Sequence, residues 1–300
     1  MNWKCTICGS DKVARRQAMH SRFPAFRKRK LVTCGECSAK TVFPIPNETE
    51  LAEINRTYWE STGTDSASAR KGLLELSKHR VNYLVSQCGS LDAKRILDIG
   101  AGHAYPYDAI RLLGCNTDYA AVESDEHMRD ELSAKGITAY ADLTDVSGKH
   151  FDLIILSHVV EHVQSPVEFL KQASDCLSED GLLFIEVPNQ DDQFKLDLGL
   201  HLAVYNPSAI ATLCHSAGLL PSEVSTAGAA IDELRPTLVG RLENQLRHTN
   251  TLAYRIWRRA RKSFLPADRT ANMNAPLSRT DHRGRWLRVV AKKRLPSVLN

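Results

Sequence analysis

Short apolar runs at near-regular intervals set the frame of the chain. Ile96, Leu97 and Ile99 form the continuous apolar stretch expected of a strand covered on both faces. Asp118–Glu123, Phe151–Leu156 and Leu182–Val187 read the same way, with Ile137–Tyr140 and Leu219–Val224 as shorter strands. Helical segments lie between them. Pro106 suits a first helical position, Tyr107–Leu113 continues it, and Gly114 stops it. Leu132–Lys135 finishes a second helix before Gly136, Pro166–Leu177 makes a third, and Asn206-Pro-Ser208 starts a fourth that runs through His215. Residues 66–87 suit an amphipathic helix, with Leu73, Leu76, Leu84 and Val85 on its apolar side and Arg70, Lys71, Lys78 and Arg80 toward water. Residues 190–206 lack strong periodicity. A closing strand is expected around 229–240 without a clear run to mark it, and Leu238, Leu242 and Leu246, then Leu252, Ile256, Ala260 and Phe264, recur as helical stripes. The alternation predicts an α/β fold built on a doubly wound sheet.

The first strand runs into Gly100-Ala-Gly102, where two glycines let the backbone turn sharply and approach a ligand closely. A pyrophosphate-binding dinucleotide loop needs a third small residue where Tyr105 stands. Glu123 closes the next strand about twenty residues after the turn, where a ribose presents its two hydroxyls. A nucleoside cofactor fits these features better than a dinucleotide.

Leu97-Asp-Ile-Gly-Ala-Gly102, Val122-Glu123, Asp142 after the third strand, Phe151–Val163 and Gly181–Asn189 follow one another over roughly residues 70–230. With them the chain resembles the class I S-adenosylmethionine-dependent methyltransferases. The resemblance implies a Rossmann-like sheet and S-adenosylmethionine as cofactor, held by Asp98, Gly100, Ala101, Gly102, Glu123, Ser124, Asp142, Leu143 and Ser157. It sets Asp142 toward the adenine amino group and Leu143 against the adenine face. Read from its surroundings alone, Asp142 is a loop aspartate that caps a turn.

The fourth strand ends at Ser157-His158. Ligands of doubly wound sheets lie beyond the carboxyl ends of the strands, so His158, Glu161 and His162 are expected at the reacting centre. A helical turn there would bring all three to one face. A histidine with a carboxylate neighbour is poised to accept a proton near neutral pH. The same trio could instead hold a divalent ion that acidifies a hydroxyl, or form a structural hydrogen-bonded group. The resemblance adds His201, from the segment that lines the acceptor pocket in the small-molecule subgroup.

Cys5-Thr-Ile-Cys8 and Cys34-Gly-Glu-Cys37 are two Cys-x-x-Cys pairs separated by 25 residues, the spacing of a zinc ribbon. Four thiolates would close a structural tetrahedron, and metal binding on the order of 10–16 kcal/mol would supply the folding energy of so small a segment. Reduced thiols or disulfides are the plain alternative. The pairs, the basic spacer between them, the Val42-Phe-Pro-Ile-Pro46 link and the stretch from Leu51 to Tyr58-Trp59 resemble the zinc-ribbon leader of many small-molecule and sugar methyltransferases. Within the spacer, Arg22-Phe-Pro-Ala-Phe-Arg-Lys-Arg-Lys30 is either a grip for an anionic substrate or nucleic acid, or a solvated loop.

Charge divides the chain unevenly. Residues 1–60 carry 11 basic and 6 acidic side chains, 61–240 carry 13 and 26, and 241–300 carry 15 and 3, a balance of +12. Four parts are expected: a zinc-ribbon leader over 1–46, a linker with cleft-covering helices over 47–90, the cofactor domain over 91–240, and a basic helical, partly disordered tail over 241–300. Trp257 amid Arg255, Arg258, Arg259, Arg261 and Lys262 suits a helix lying on an anionic membrane, and 286–295 repeats the basic pattern. An anionic membrane surface met through residues 250–300 is therefore an expected partner, with nucleic acid less favoured. No apolar run approaches the roughly 18 residues of a membrane span, and the start lacks the apolar core of a signal peptide, so a cytoplasmic, peripherally bound protein is expected.

The function expected is base-assisted methyl transfer to a small-molecule, sugar or lipid-linked glycan acceptor. The alternatives are an RNA methyltransferase that grips phosphates with the ribbon and tail, or a non-catalytic binder on the cofactor fold. Ser157-His-Val-Val160 stands where an Asn-Pro-Pro-Tyr motif would serve methylation of base amino groups.

Overall fold

The structure is a computed structural model that describes residues 2–26, 28–53, 67–234 and 282–294. The chain opens with β1 (Val13–Ala18), β2 (Lys30–Cys34) and β3 (Lys40–Phe43), an antiparallel meander. Helix α1 (Ala67–Cys88) leads into β4 (Arg95–Ile99), α2 (Tyr105–Leu112), β5 (Asp118–Val122), α3 (Glu126–Ala134) and β6 (Thr138–Tyr140). Then come β7 (Phe151–Ser157), α4 (Pro166–Asp175), β8 (Leu177–Pro188), β9 (Ala203–Val204), α5 (Pro207–Ser216), β10 (Leu219–Ala230) and β11 (Gly284–Lys293). Side-chain caps start two of the helices: Asp125 accepts from the Met128 N–H and Asn206 from the Ala209 N–H.

Seven strands form the main sheet in the order β10-β11-β8-β7-β4-β5-β6. From β6 to β8 all neighbours are parallel, while β11 runs antiparallel between β8 and β10. Because side chains alternate along a strand, the continuous apolar runs feed two cores. Ile96, Leu153, Ile155 and Phe184 pack with Val81 and Leu84 of α1 and Ile110 of α2, whereas Leu97, Ile154, Leu156 and Ile185 pack with Leu170 of α4 and Leu213 of α5. Each fully buried Leu or Ile contributes about 1.5–3 kcal/mol relative to exposure.

The strand that completes this sheet is not where its sequence position was expected. Within the expected span, Ala229 and Ala230 end β10, residues 231–234 form a turn and the remainder lies outside the described residues; β11 lies at 284–293, inside the segment assigned to a basic membrane-binding tail. Leu287, Val289, Val290 and Ala291 of β11 are buried, so residues 287–291 are core and the segment is not a surface anchor. The basic pattern misled because Arg288, 3% exposed, is neutralised inside the protein by Glu186. The helical stripes over 238–264, the basic cluster around Trp257 and Tyr58-Trp59 lie outside the described residues. Two boundaries also shift: the fifth parallel strand begins at Leu177 and not Leu182, and β10 extends past Val224 to Ala230.

The N-terminal segment is joined to the rest. β3 pairs with β9 through Lys40↔Val204 and Thr41↔Ala203, which makes β1-β2-β3-β9 a second sheet. Trp3, Ile7, Cys5, Cys34 and Cys37 belong to the same buried cluster as Leu97 and Ile185.

Candidate active site

Beyond the carboxyl ends of β4 and β7 the backbone leaves the sheet and a cavity opens. The Gly100 N–H donates to the Val122 carbonyl at 2.7 Å and the Gly102 N–H to Glu123 Oε2 at 2.8 Å, which pins the turn to the end of β5. Gly100 has φ +72°, and a Cβ there would stand 2.5 Å from Val159 Cγ2, so glycine is required. Asp98, Gly100, Ala101, Ser157 and His158 line the cavity together with Arg80, Glu186 and Arg288, and His158 Nε2 lies 3.7 Å from Glu186 Oε1. Burial pushes Asp98 up to about 7, against the 2.6 Å hydrogen bond donated by Tyr119 Oη and the charge of Arg80. Burial would also raise Glu186, but Arg80 Nη2 at 2.5 Å and Arg288 Nε at 2.7 Å outweigh it and hold its carboxyl well below the usual carboxylate range.

His158 follows with φ +59°, a conformation a bulky residue seldom adopts. The short turn Val160–His162 carries Glu161 back, so that Glu161 Oε1 lies 3.3 Å from His158 Nδ1 and 4.0 Å from His162 Nε2. His201 arrives from the segment before β9; its ring meets that of His162 edge-on at 4.9 Å, and its Nδ1 lies 2.7 Å from Asp191 Oδ2. The Leu202 N–H donates to the Glu161 carbonyl at 2.7 Å and fastens this segment to the turn.

Electrostatics sort these groups. Burial would raise Glu161, but the hydrogen bond from His158 and the nearby histidines hold it down at about 2, and His201 and Lys195 do the same for buried Asp191. Burial pushes His162 down to about 4, so it is neutral at pH 7. Donor atoms of Glu161, His162 and His201 lie within 4.8 Å of one another. Glu161 Oε2 and His162 Nδ1 are buried without a hydrogen-bond partner among the described residues. A second cavity opens over the group, lined by Arg22, His158, Glu161, His162, Lys195, Asp197 and His201. His158 lines both cavities.

Residues 68–221, 154 of the 300, match a family described as a methyltransferase domain. The chain belongs to this family. Among curated relatives, the ubiquinone biosynthesis O-methyltransferase of Actinobacillus pleuropneumoniae is 23% identical over 159 residues, 48% of this chain and 66% of that protein. The enzyme of the same name from Glaesserella parasuis is 26% identical over 155 residues, 47% of this chain and 63% of that protein. The chain thus spans slightly under two thirds of the length of these relatives. A Burkholderia thailandensis 1,6-didemethyltoxoflavin-N1-methyltransferase with bound 1,6-didemethyltoxoflavin and S-adenosylhomocysteine superimposes with a TM-score of 0.52 at 15% identity, covering 89% of this chain and 96% of that one. At that identity it shows the fold alone, which this chain shares with that enzyme.

In this chain the sequence-derived residues fall into two groups. Asp98, Gly100, Ala101, Ser157 and His158 meet at the first cavity, and His158, Glu161, His162 and His201 meet at the second. Gly102, Glu123, Ser124, Asp142 and Leu143 do not line the first cavity. Glu123 accepts from the N–H groups of Gly102 and Asp125, Ser124 offers its carbonyl to Arg129, and Leu143 is buried. Asp142 Oδ1 accepts from the Thr144 N–H and hydroxyl, the turn-capping arrangement. Those bonds hold the Asp142 carboxyl below its ordinary value.

Four residues of the candidate site escaped the sequence reading. Arg80 was placed on the wet side of its helix, yet it turns inward to Glu186, since the buried carboxylate of β8 requires a cation. Arg288, Glu186 and Asp191 carried no motif, although Asp191 follows Pro188-Asn189 at a strand end that points to the cleft. The four cysteines of the ribbon do converge. Cys5 and Cys37 sulfurs are 3.6 Å apart, those of Cys8 and Cys34 are 3.5 Å apart, and all four lie within 4.8 Å of one another as free thiols. Zinc bonds of about 2.3 Å in a tetrahedron would set sulfurs about 3.8 Å apart, so the cluster fits that ion.

Proposed function

We propose that this chain transfers the methyl group of S-adenosylmethionine to a hydroxyl of a small-molecule acceptor, with His158 as the general base. The observation that carries this reading is the position of His158 on the shared wall of two cavities. On one side, the glycine turn, Asp98, Ala101 and Ser157 would hold the cofactor, with Arg80 as the cation for its carboxylate; Glu123 would serve the ribose and fix the turn. On the other side lies the acceptor. When bound, the cofactor supplies an electrophilic methyl on a sulfonium.

The chain supplies the rest. His158 Nδ1–H donates to ionised Glu161, which leaves Nε2 with its lone pair to accept the hydroxyl proton, a service worth about 10²–10⁴ in rate. His201, beside Asp191, keeps its other nitrogen as an acceptor in the lining of the same cavity. The names of the curated relatives, O-methyltransferases of a small molecule, favour an oxygen acceptor. Calorimetric titration with S-adenosylhomocysteine tests the cofactor half. Methyl transfer by His158→Ala tests the chemistry: binding retained with turnover lost supports the reading, and unchanged turnover removes His158 from it.

A second reading is favoured by the converging donors of Glu161, His162 and His201: a divalent cation at that point would acidify the acceptor hydroxyl. Manganese added to the metal-stripped protein would then give a bound electron-paramagnetic signal lost in Glu161→Gln. For the cysteines, we propose structural zinc. Metal analysis should find one zinc per native chain, lost in Cys34→Ser, and a zinc-free native preparation would refute it.

A further inference from the structure

The acceptor cavity has one wall that is not part of the methyltransferase domain. Arg22 belongs to the cysteine-rich segment, at the turn before the short helix Pro24–Phe26, and it lines the same cavity as Lys195. The turn is fixed to the domain from several points. The Arg22 N–H and the Gly199 N–H both donate to Asp197 Oδ1 at 3.0 Å, Ser21 Oγ donates to the Gly199 carbonyl at 2.8 Å, and the Leu198 N–H donates to the His20 carbonyl at 2.9 Å.

The guanidinium itself is left with capacity. Arg22 Nε stands 3.9 Å from Asp197 Oδ2, too far for a hydrogen bond, and it is buried without a partner among the described residues. Its planar group lies over the Phe23 ring at 5.1 Å, which fixes its orientation. Lys195 Nζ touches Asp191 at 3.0 Å, but that carboxylate also serves His201, and an ammonium has three donors. Asp197 spends one oxygen on two backbone N–H groups, which offsets its charge toward the cavity. Arg22 and Lys195 are 33% and 34% exposed, as open to the cavity as His158 and His162 at 39% and 36%, while His201 and Glu161 are 11% and 1% exposed.

From these two cations in the lining of one cavity we infer that the acceptor carries an anionic oxygen group, a carboxylate or phosphoryl, held by Arg22 and Lys195 while its hydroxyl reaches the histidines of the same lining. The inference rests on the methyl-transfer reading for the hydroxyl's role, but the anion subsite stands on its own geometry. Arg suits the task because its fork pairs with two oxygens of a carboxylate or phosphate at once, and a partly exposed cation is reached by a ligand without desolvating the buried carboxylate. The sequence had left Arg22–Lys30 between an anion grip and a solvated loop. The structure divides it: Arg29 is consumed internally by Glu50 and the Pro44 carbonyl, and Arg22 is turned to the cavity.

The test titrates the full-length native protein with inorganic phosphate in one arm and benzoate in the other, following the Arg22 Nε–Hε resonance by nitrogen-15 NMR. A saturable shift in either arm is expected, and the arm that saturates first names the anion. Affinity measured by calorimetry should fall about tenfold or more in Arg22→Gln and in Lys195→Gln, which sit on separate segments, so misfolding of the ribbon cannot account for both. Binding of S-adenosylhomocysteine should be unchanged in both variants. Absence of a saturable shift up to about 50 mM of either anion, or equal affinity in the variants, overturns the proposal. Loss of S-adenosylhomocysteine binding by the native protein would sink the methyl-transfer reading and leave the anion result standing.

Discussion

His201 Nδ1 and Asp191 Oδ2 lie 2.7 Å apart, with the Asp191 carboxylate 1% exposed. The contact is at ion-pair distance and not a hydrogen bond of good geometry, since His201 Nδ1 and both Asp191 oxygens have no hydrogen-bond partner among the described residues. The buried negative charge nonetheless favours the proton on Nδ1, which leaves Nε2 as the acceptor nitrogen. Asp191→Asn should keep the ring in place while weakening its hold on that tautomer. Turnover should fall about tenfold or more, with S-adenosylhomocysteine affinity and thermal midpoint nearly unchanged. If turnover is unaffected, Asp191 does not position His201.

Gly100 leaves no room for a side chain. With φ +72° and Val159 Cγ2 at 2.5 Å from a built Cβ, Gly100→Ala must either shift the turn or displace Val159, the neighbour of His158. Strain of about 1–3 kcal/mol is expected, together with loss of S-adenosylhomocysteine binding by calorimetry. Gly102→Ala meets nothing within 4 Å, although its φ of +52° still disfavours a side chain, so the milder defect is expected there. Equal binding by both variants and the native protein would show that the turn does not cradle the cofactor.

Asp98 links cofactor binding to pH. Its folded-state value is raised to about 7 from an ordinary 3.8, with Tyr119, Arg80 and Glu123 as the groups facing it. The sign follows: the contribution of Asp98 to stability is fully present below about pH 4 and is lost as pH rises through about 7. Asp98→Asn should therefore flatten the fall in stability between pH 4 and 7. A cationic ligand beside Asp98 would favour its ionised form and release a proton near pH 6. Titrations in buffers of different ionisation enthalpy read that proton directly, and identical heats in all buffers would contradict it.

Deleting residues 284–300 removes β11 from between β8 and β10. Two ladders are lost and buried Arg288 no longer neutralises Glu186. The truncated chain should be insoluble or lack a cooperative thermal transition, since breaking a buried ion pair alone costs about 3–5 kcal/mol. A folded truncation that binds S-adenosylhomocysteine would contradict this placement of the strand.

Much of the cofactor side was legible because it is local. Ile96-Leu-Asp-Ile-Gly-Ala-Gly102 folds as a strand and turn for reasons contained in those residues: apolar alternation on both faces and two positive-φ glycines. The cysteine pairs and the His158, Glu161 and His162 spacing were legible for the same reason, since each is a short segment whose geometry one turn sets. What the sequence hid were groups whose meaning depends on distant partners. Arg80 and Arg288 read as surface cations until Glu186, 106 and 102 residues away, gave them a buried carboxylate. The backbone bonds that Glu123 accepts from Gly102 and Asp125 were likewise not legible, whereas the turn-capping role of Asp142 is the one its surroundings in the sequence had offered.

By itself, then, the sequence determined the α/β alternation, the glycine turn, the family and the candidate set of histidines and cysteines, because hydrophobic period and turn stereochemistry act within a few residues. The tertiary structure alone decided that residues 284–293 form an inner strand, that the ribbon shares a sheet with β9, and that Arg22 and His201 face one cavity. These are contacts between segments far apart in the chain, fixed by burial and charge neutralisation, and no local pattern of residues encodes them.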